Sequence, residues 1–153
     1  MKTGWIISLV GGLLFAANAL VTSAEPKTDL DKLQGTWLTV SLVYDGKALF
    51  DEKNPPKVEP AKLAYDGSKW LVKADGKTVA AGVTKLDQTK KPKEIDILDE
   101  SGMTNEKTKL GIYELDGDTF KYCIALAGKP RPTEFVSKPD SGHSLIVSKR
   151  EKP

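Results

Sequence analysis

Cysteine is almost missing from this chain: Cys123 is the only one in 153 residues. A single thiol excludes an intrachain disulfide and any multi-cysteine metal site. Histidine is as scarce, and His143 beside Gly142 reads as an exposed turn residue rather than the base of a hydrolytic triad. One His and one Cys also fall short of the three or four ligands a zinc centre needs. Of the 23 basic residues only Arg131 and Arg150 are arginines, the lysines are scattered, and the net charge is +2. Nucleic-acid recognition leans on arginine forks and a concentrated basic patch, so that class is set aside. There is no acidic tail, no Gly-rich phosphate loop and, from Thr36 onward, almost no helical periodicity. Without crossover helices a parallel βαβ sheet is excluded.

What is present begins with an address. Lys2 precedes an apolar stretch from Trp5 to Leu20, and Val21-Thr22-Ser23-Ala24 ends in small residues. This is the layout of a secretory signal peptide over residues 1–24, with cleavage expected between Ala24 and Glu25 and a competing site after Ala19. The alternative is an uncleaved anchor, but the apolar core is shorter than the ~20 residues that usually span a bilayer. Cleavage leaves residues 25–153 as one domain in the periplasm or outside the cell, with the net charge lowered from +2 to +1 by loss of Lys2. A chain of that size can bury a core without disulfides or metals. Cys123 is then expected to be a buried strand residue.

Short alternating runs, closed by turn dipeptides, fill the rest. Trp37 to Tyr44 ends at Asp45-Gly46, Ala61 to Tyr65 at Asp66-Gly67, and Lys69 to Lys73 at Asp75-Gly76. Asp-Gly between such runs marks a hairpin, because both central positions of a type I′ turn need positive φ. Thr78 to Leu86, Glu94 to Leu98 and Lys109 to Leu115 continue the series. Asp116-Gly117-Asp118 leads into Thr119 to Leu126, a short Glu134 to Val136 strand follows, and Ser144 to Lys149 comes last. About eight main strands with tight links predict an antiparallel sandwich or, preferably, an up-and-down barrel. Before them, Thr28 to Gln34 reads as a short capped helix ended by Gly35, too short to stand without docking. Residues 51–60, with three prolines, form the one long irregular loop. In the Thr119 to Leu126 strand, Phe120, Tyr122, Ile124 and Leu126 are expected inside and Lys121, Cys123 and Ala125 outside.

A short helix, then Gly35-Thr36-Trp37 opening the first strand, and Arg150 ending the last, resembles the lipocalins and related calycin barrels. That resemblance implies an eight-stranded barrel closed at one end by Gly35, Trp37 and Arg150, with the arginine over the indole ring. A second resemblance spans nearly all of residues 25–153. Leu33-Gln34-Gly35-Thr36-Trp37, Lys90 to Asp96, Gly111 to Thr119, Arg131-Pro132-Thr133-Glu134-Phe135 and Lys149-Arg150 resemble a family of uncharacterised exported domains of planctomycete bacteria. It implies an exported domain and assigns no activity.

Candidate chemistry is sparse. Asp116-Gly117-Asp118 lacks the further ligands of a calcium loop and is explained as a turn. Glu94 and Asp96 share a strand face and would couple as an acid–base pair if they pointed inward; the simpler arrangement puts Ile95 and Ile97 inside and the acids in water. Arg131, stiffened by Pro130 and Pro132, is placed either to orient a ligand's carboxylate or phosphate or to pair with an internal acid such as Glu114 or Glu134. Tyr65, Trp70, Tyr113, Tyr122 and Phe135 are the aromatics from which a pocket could be lined. No catalytic residue, metal or cofactor is assigned. Ahead of an enzyme that uses Glu94 and Asp96, for instance an isomerase or a glycan-acting protein, two functions lead: a binding barrel for a small, partly apolar or amphipathic ligand, or an envelope module with a filled core that meets protein or polysaccharide. A cavity inside the barrel separates them.

Overall fold

A computed structural model describes residues 27–100 and 108–152; the proposed signal segment and its cleavage sites lie outside them. Helix α1 (Asp29–Leu33) is followed by nine strands: β1 (Gly35–Tyr44), β2 (Lys47–Phe50), β3 (Lys62–Asp66), β4 (Lys69–Ala74), β5 (Lys77–Asp87), β6 (Lys93–Asp99), β7 (Thr108–Asp116), β8 (Thr119–Ala125) and β9 (His143–Arg150). Sequential antiparallel pairing from β3 to β9, with β1 joined to both β3 and β9, closes an eight-stranded barrel. Asp45-Gly46 (φ 50° and 80°) and Asp75-Gly76 (48° and 72°) adopt the doubly positive φ of the predicted turns, whereas at Asp66-Gly67 only the glycine does. The Asp45-Gly46 turn returns into a strand not anticipated from sequence: β2 pairs with Leu42 to Tyr44 outside the closed circuit. β1 also carries an irregularity between Thr39 and Ser41 opposite β9, the kind of bulge that helps a strand bend around a barrel.

Alternation sorts the side chains. Trp37, Leu63, Tyr65, Trp70, Ile95, Tyr113 and Phe120 meet Leu33 of the helix in one core. Phe120 is its hub, with Trp37, Tyr65 and Tyr113 tilted or edge-on at 5.8–6.4 Å and Tyr122 stacked at 4.6 Å. Trp37 and Phe120 are fully buried, and burial of each such ring contributes on the order of 2–3 kcal/mol.

The β8 expectation holds for Phe120, Tyr122 and Ile124 and fails at Leu126. Leu126 lies beyond the strand and is 43% exposed. Cys123 is a buried strand residue, as expected, and Ala125 is buried with it although both lie on the outer face, because the segment between β8 and β9 covers that face. Cys123 Sγ donates to the Val136 carbonyl (3.6 Å), and Ser137 Oγ bridges the Gly46 amide and the His143 carbonyl. Glu134 to Val136 is therefore a covering loop, not the strand its β-forming residues predict. His143 opens β9 half-buried rather than sitting in an exposed turn.

One end of the barrel is plugged by α1, and the chemistry of that plug is explicit. Thr28 and Asp31 form a reciprocal capping box at the helix start. At the other terminus, carbonyls without intrahelical donors need partners. Gln34 Nε2 serves Leu30, Trp37 Nε1 serves Leu33 (2.7 Å), and the Arg150 fork serves Lys32 (2.5 Å) and Gln34 (2.7 Å). The Arg150 guanidinium carbon stands 4.2 Å from the Trp37 ring centroid. Asp29, 3% exposed, receives Lys32 (2.9 Å), Lys93 (2.5 Å) and the Tyr113 hydroxyl (3.0 Å). Burial pushes its carboxyl up, but these three donors outweigh burial and hold it at about 2.

Candidate functional site

Among the described residues the far end of the barrel is not filled. Inward residues there surround a cavity of about 210 Å³. The β3–β4 hairpin sets its aromatic wall, since Tyr65 and Trp70 are direct cross-strand partners and Leu63 and Val72 occupy the next inward positions. Tyr122 and Ile124 of β8 face them, with Ala80 and Ile97 completing the apolar lining. A cavity of ~150 Å³ with such walls holds a benzene ring, so this one has room for a single ring with a substituent.

Polar groups within this apolar volume are few. Tyr65 Oη and Thr84 Oγ1 lie 3.4 Å apart. Burial pushes the Tyr65 phenol up to about 12 and raises Tyr122 as well, with Tyr65 adding to the latter. Both phenols thus stay protonated near neutral pH and serve as hydrogen-bonding groups. Trp70 is 8% exposed, and its indole N–H is buried without an acceptor among the described residues. At the margin, Lys109 Nζ stands 3.5 Å from Asp99 Oδ2, with side chains 30% and 16% exposed. Sequence reasoning missed this pair. Its signal was parity: Asp99 shares a face with Ile95 and Ile97, and Lys109 with Tyr113 and Leu115, so both charges point into the barrel.

Of the six residues proposed to bind a ligand, three line this cavity, Tyr65, Trp70 and Tyr122, while Tyr113 and Phe135 border a separate groove on the surface. Tyr113 belongs to the plugged end, where it donates to Asp29. Phe135 lies under Lys121 Nζ (4.7 Å) on the outer covering loop. It borders that groove, of about 300 Å³, with Lys90, Lys91 and Lys93. Arg131 also works from outside. Its Nη1 donates to the carbonyls of Ile95 (3.1 Å) and Gly111 (2.6 Å), and its Nη2 to Asp96 (2.7 Å), with Glu94 at 3.4 Å. Its acidic partners are therefore Asp96 and Glu94 of β6, not Glu114 or Glu134, and it fastens the loop to the barrel. Ile95 is buried and Ile97 packs against the core, so Glu94 and Asp96 face outward as the simpler arrangement had it. Among the described residues no group of three His, Cys, Asp or Glu side chains is placed to hold a metal ion. Gly35, Trp37 and Arg150 do gather at the closure, where Arg150 Nη1 lies 3.7 Å from the position a Gly35 Cβ would take.

No protein-family model, curated protein or solved structure matches the chain.

Proposed function

We propose that residues 1–24 export this chain and that the mature barrel, without catalysing a reaction, holds a small, partly apolar molecule in its far-end cavity. The observation that carries this is the contrast between the two ends. One is plugged by a helix whose terminal carbonyls are met; the other retains about 210 Å³ between Trp70, Tyr65 and Tyr122. A barrel selected only as a rigid scaffold gains from filling that volume, because each methylene-sized void costs stability. The non-catalytic reading is supported by the acids: Glu94 and Asp96 are engaged by Arg131 outside the barrel. The phenols inside are pushed far from neutral titration. We also propose kinship with the lipocalin-type barrels and the planctomycete exported domains, on the motifs quoted above and the Trp37–Arg150 closure.

Native mass spectrometry of the protein purified from its own host tests the binding role. A retained molecule of roughly ring size, lost on denaturation and absent from an Ala80→Leu variant, is the expected result. Unliganded protein in both forms, with no small molecule from host extract taken up by either, would overturn it. A second reading, an envelope module that meets protein or polysaccharide, draws on the outer edge of β2 and the proline-rich loop, where Leu49 and Val58 are 54% and 69% exposed.

A further inference from the structure

The charges and donors around the far-end cavity restrict what it can take, and this step rests on the binding role proposed above. We infer that its ligand is an uncharged single-ring molecule with one hydroxyl or carbonyl head, recognised by Trp70, Lys109 and Asp99.

Size sets the first limit. About 210 Å³ accommodates one ring and a short substituent. Electrostatics sets the second. Asp99 and Lys109 already oppose each other at 3.5 Å on the inward face, so among the described residues the lining charges are one of each sign. An anionic head reaching Lys109 has to give up its hydration and lie against the Asp99 carboxylate; a cationic head meets the mirror problem at Lys109. Burial of a charge without its own partner is expensive. A neutral hydroxyl escapes both costs, since it accepts from an N–H and donates to a carboxylate without separating the pair. A carbonyl head uses the accepting half of that pattern.

The third limit is the Trp70 indole N–H. It is buried with no acceptor among the described residues, in a side chain that lines the cavity. Buried donors are ordinarily satisfied, and the packing of the indole ring over Gly82 leaves its N–H unmet. A ligand oxygen supplies the missing acceptor. The other inward polar pair, Tyr65 and Thr84, is already mutually engaged at 3.4 Å and adds no comparable demand.

Four probes of nearly equal size separate these terms: benzyl alcohol, toluene, benzoate and benzylamine, titrated into the mature protein at neutral pH. Affinity is measured by calorimetry and the site by the ¹⁵N–¹H signal of the Trp70 indole. Benzyl alcohol is expected to bind most tightly, about tenfold better than toluene from the gained hydrogen bonds. It should move the Trp70 indole signal, while benzoate and benzylamine bind more weakly than toluene. In Trp70→Phe, which keeps a ring in the wall, the advantage of benzyl alcohol over toluene should fall to within about threefold. Tightest binding by benzoate or benzylamine, equal binding by all four, or an unchanged preference in Trp70→Phe overturns this ligand class while leaving a binding cavity in place. Failure of all four, toluene included, overturns the cavity's binding role and this inference together.

Discussion

Replacing Arg150 with alanine should destabilise the mature domain by an amount that the closure geometry allows to be worked out. The guanidinium stacks 4.2 Å from the Trp37 ring centroid, a contact worth about 1 kcal/mol for a partly desolvated cation. Its two hydrogen bonds to the carbonyls of Lys32 and Gln34 contribute about 1 kcal/mol each after water replaces the lost donor. The ion pair to Asp118, whose side chain is 54% exposed and also near Lys152, adds only a few tenths. Together these come to about 3 kcal/mol. For a domain between 100 and 150 residues that lowers Tm by roughly 12 °C. Circular dichroism melts of residues 25–153 are the assay. Arg150→Lys should lose about half as much, because an ammonium retains the charge but not the fork that spans two carbonyls. Lys149→Ala serves as the control: it removes a surface pair with Glu52, both side chains at least half exposed, and should change stability by less than about 0.5 kcal/mol. An Arg150→Ala melting temperature within about 2 °C of wild type would refute the view that this arginine locks α1 onto the barrel.

Other consequences are as concrete. Asp29 sits at about 2 against an ordinary 3.8. Its folded-state pKa is depressed, so its stabilisation, about 2 kcal/mol, is complete above pH ~4 and disappears as pH falls through ~2; the stability gap between wild type and Asp29→Asn should close over that window in denaturant titrations. Gly82→Ala places a Cβ against the Leu98 carbonyl and 2.8 Å from the Trp70 ring, and should cost about 1–3 kcal/mol by overpacking, read as a lowered urea midpoint with unchanged m. Burial raises the Cys123 thiol pKa, so wild type should react slowly with Ellman's reagent; Arg131→Ala, by unfastening the covering loop, should speed that reaction at least tenfold, and equal rates would show that Arg131 does not hold the loop.

Much of the barrel was written locally in the sequence. The Asp45-Gly46 and Asp75-Gly76 turns demand positive φ at adjacent residues, a requirement few other dipeptides meet, so the strands they join could be placed without tertiary information. The same dipeptide required a return strand after Gly46; Lys47 to Phe50 was passed over because four residues are too few to display alternation. Glu134 to Val136 failed for the opposite reason. Its residues suit a strand, but Pro130, Pro132 and Pro139 surround them, and the side chains of Arg131 and Ser137 anchor the segment as a cover. That cover also explains why Cys123 and Ala125 are buried on the face that alternation assigned to solvent.

The site was less legible than the fold. Aromatic content pointed to Tyr65, Trp70 and Tyr122, yet nothing in their spacing distinguishes a tryptophan lining a cavity from one that fills it. Tyr113 shares the inward face of its strand but lies near the plugged end, a difference of position along the barrel axis that strand parity does not encode. Arg131 looked like a ligand anchor because its prolines fix it in place; what it meets is Asp96, and that depends on how the covering loop folds back over β6. Asp99 and Lys109 carried the clearest neglected signal, charged residues in phase with inward Ile97 and Tyr113.

Diffraction from crystals of the mature protein under xenon pressure tests the central claim most directly, since xenon enters apolar cavities and not packed cores. The account predicts a xenon site bounded by Trp70, Tyr122 and Ile97, with the Trp37 end empty of xenon. Side chains closed over that volume, with no xenon between them, would contradict it.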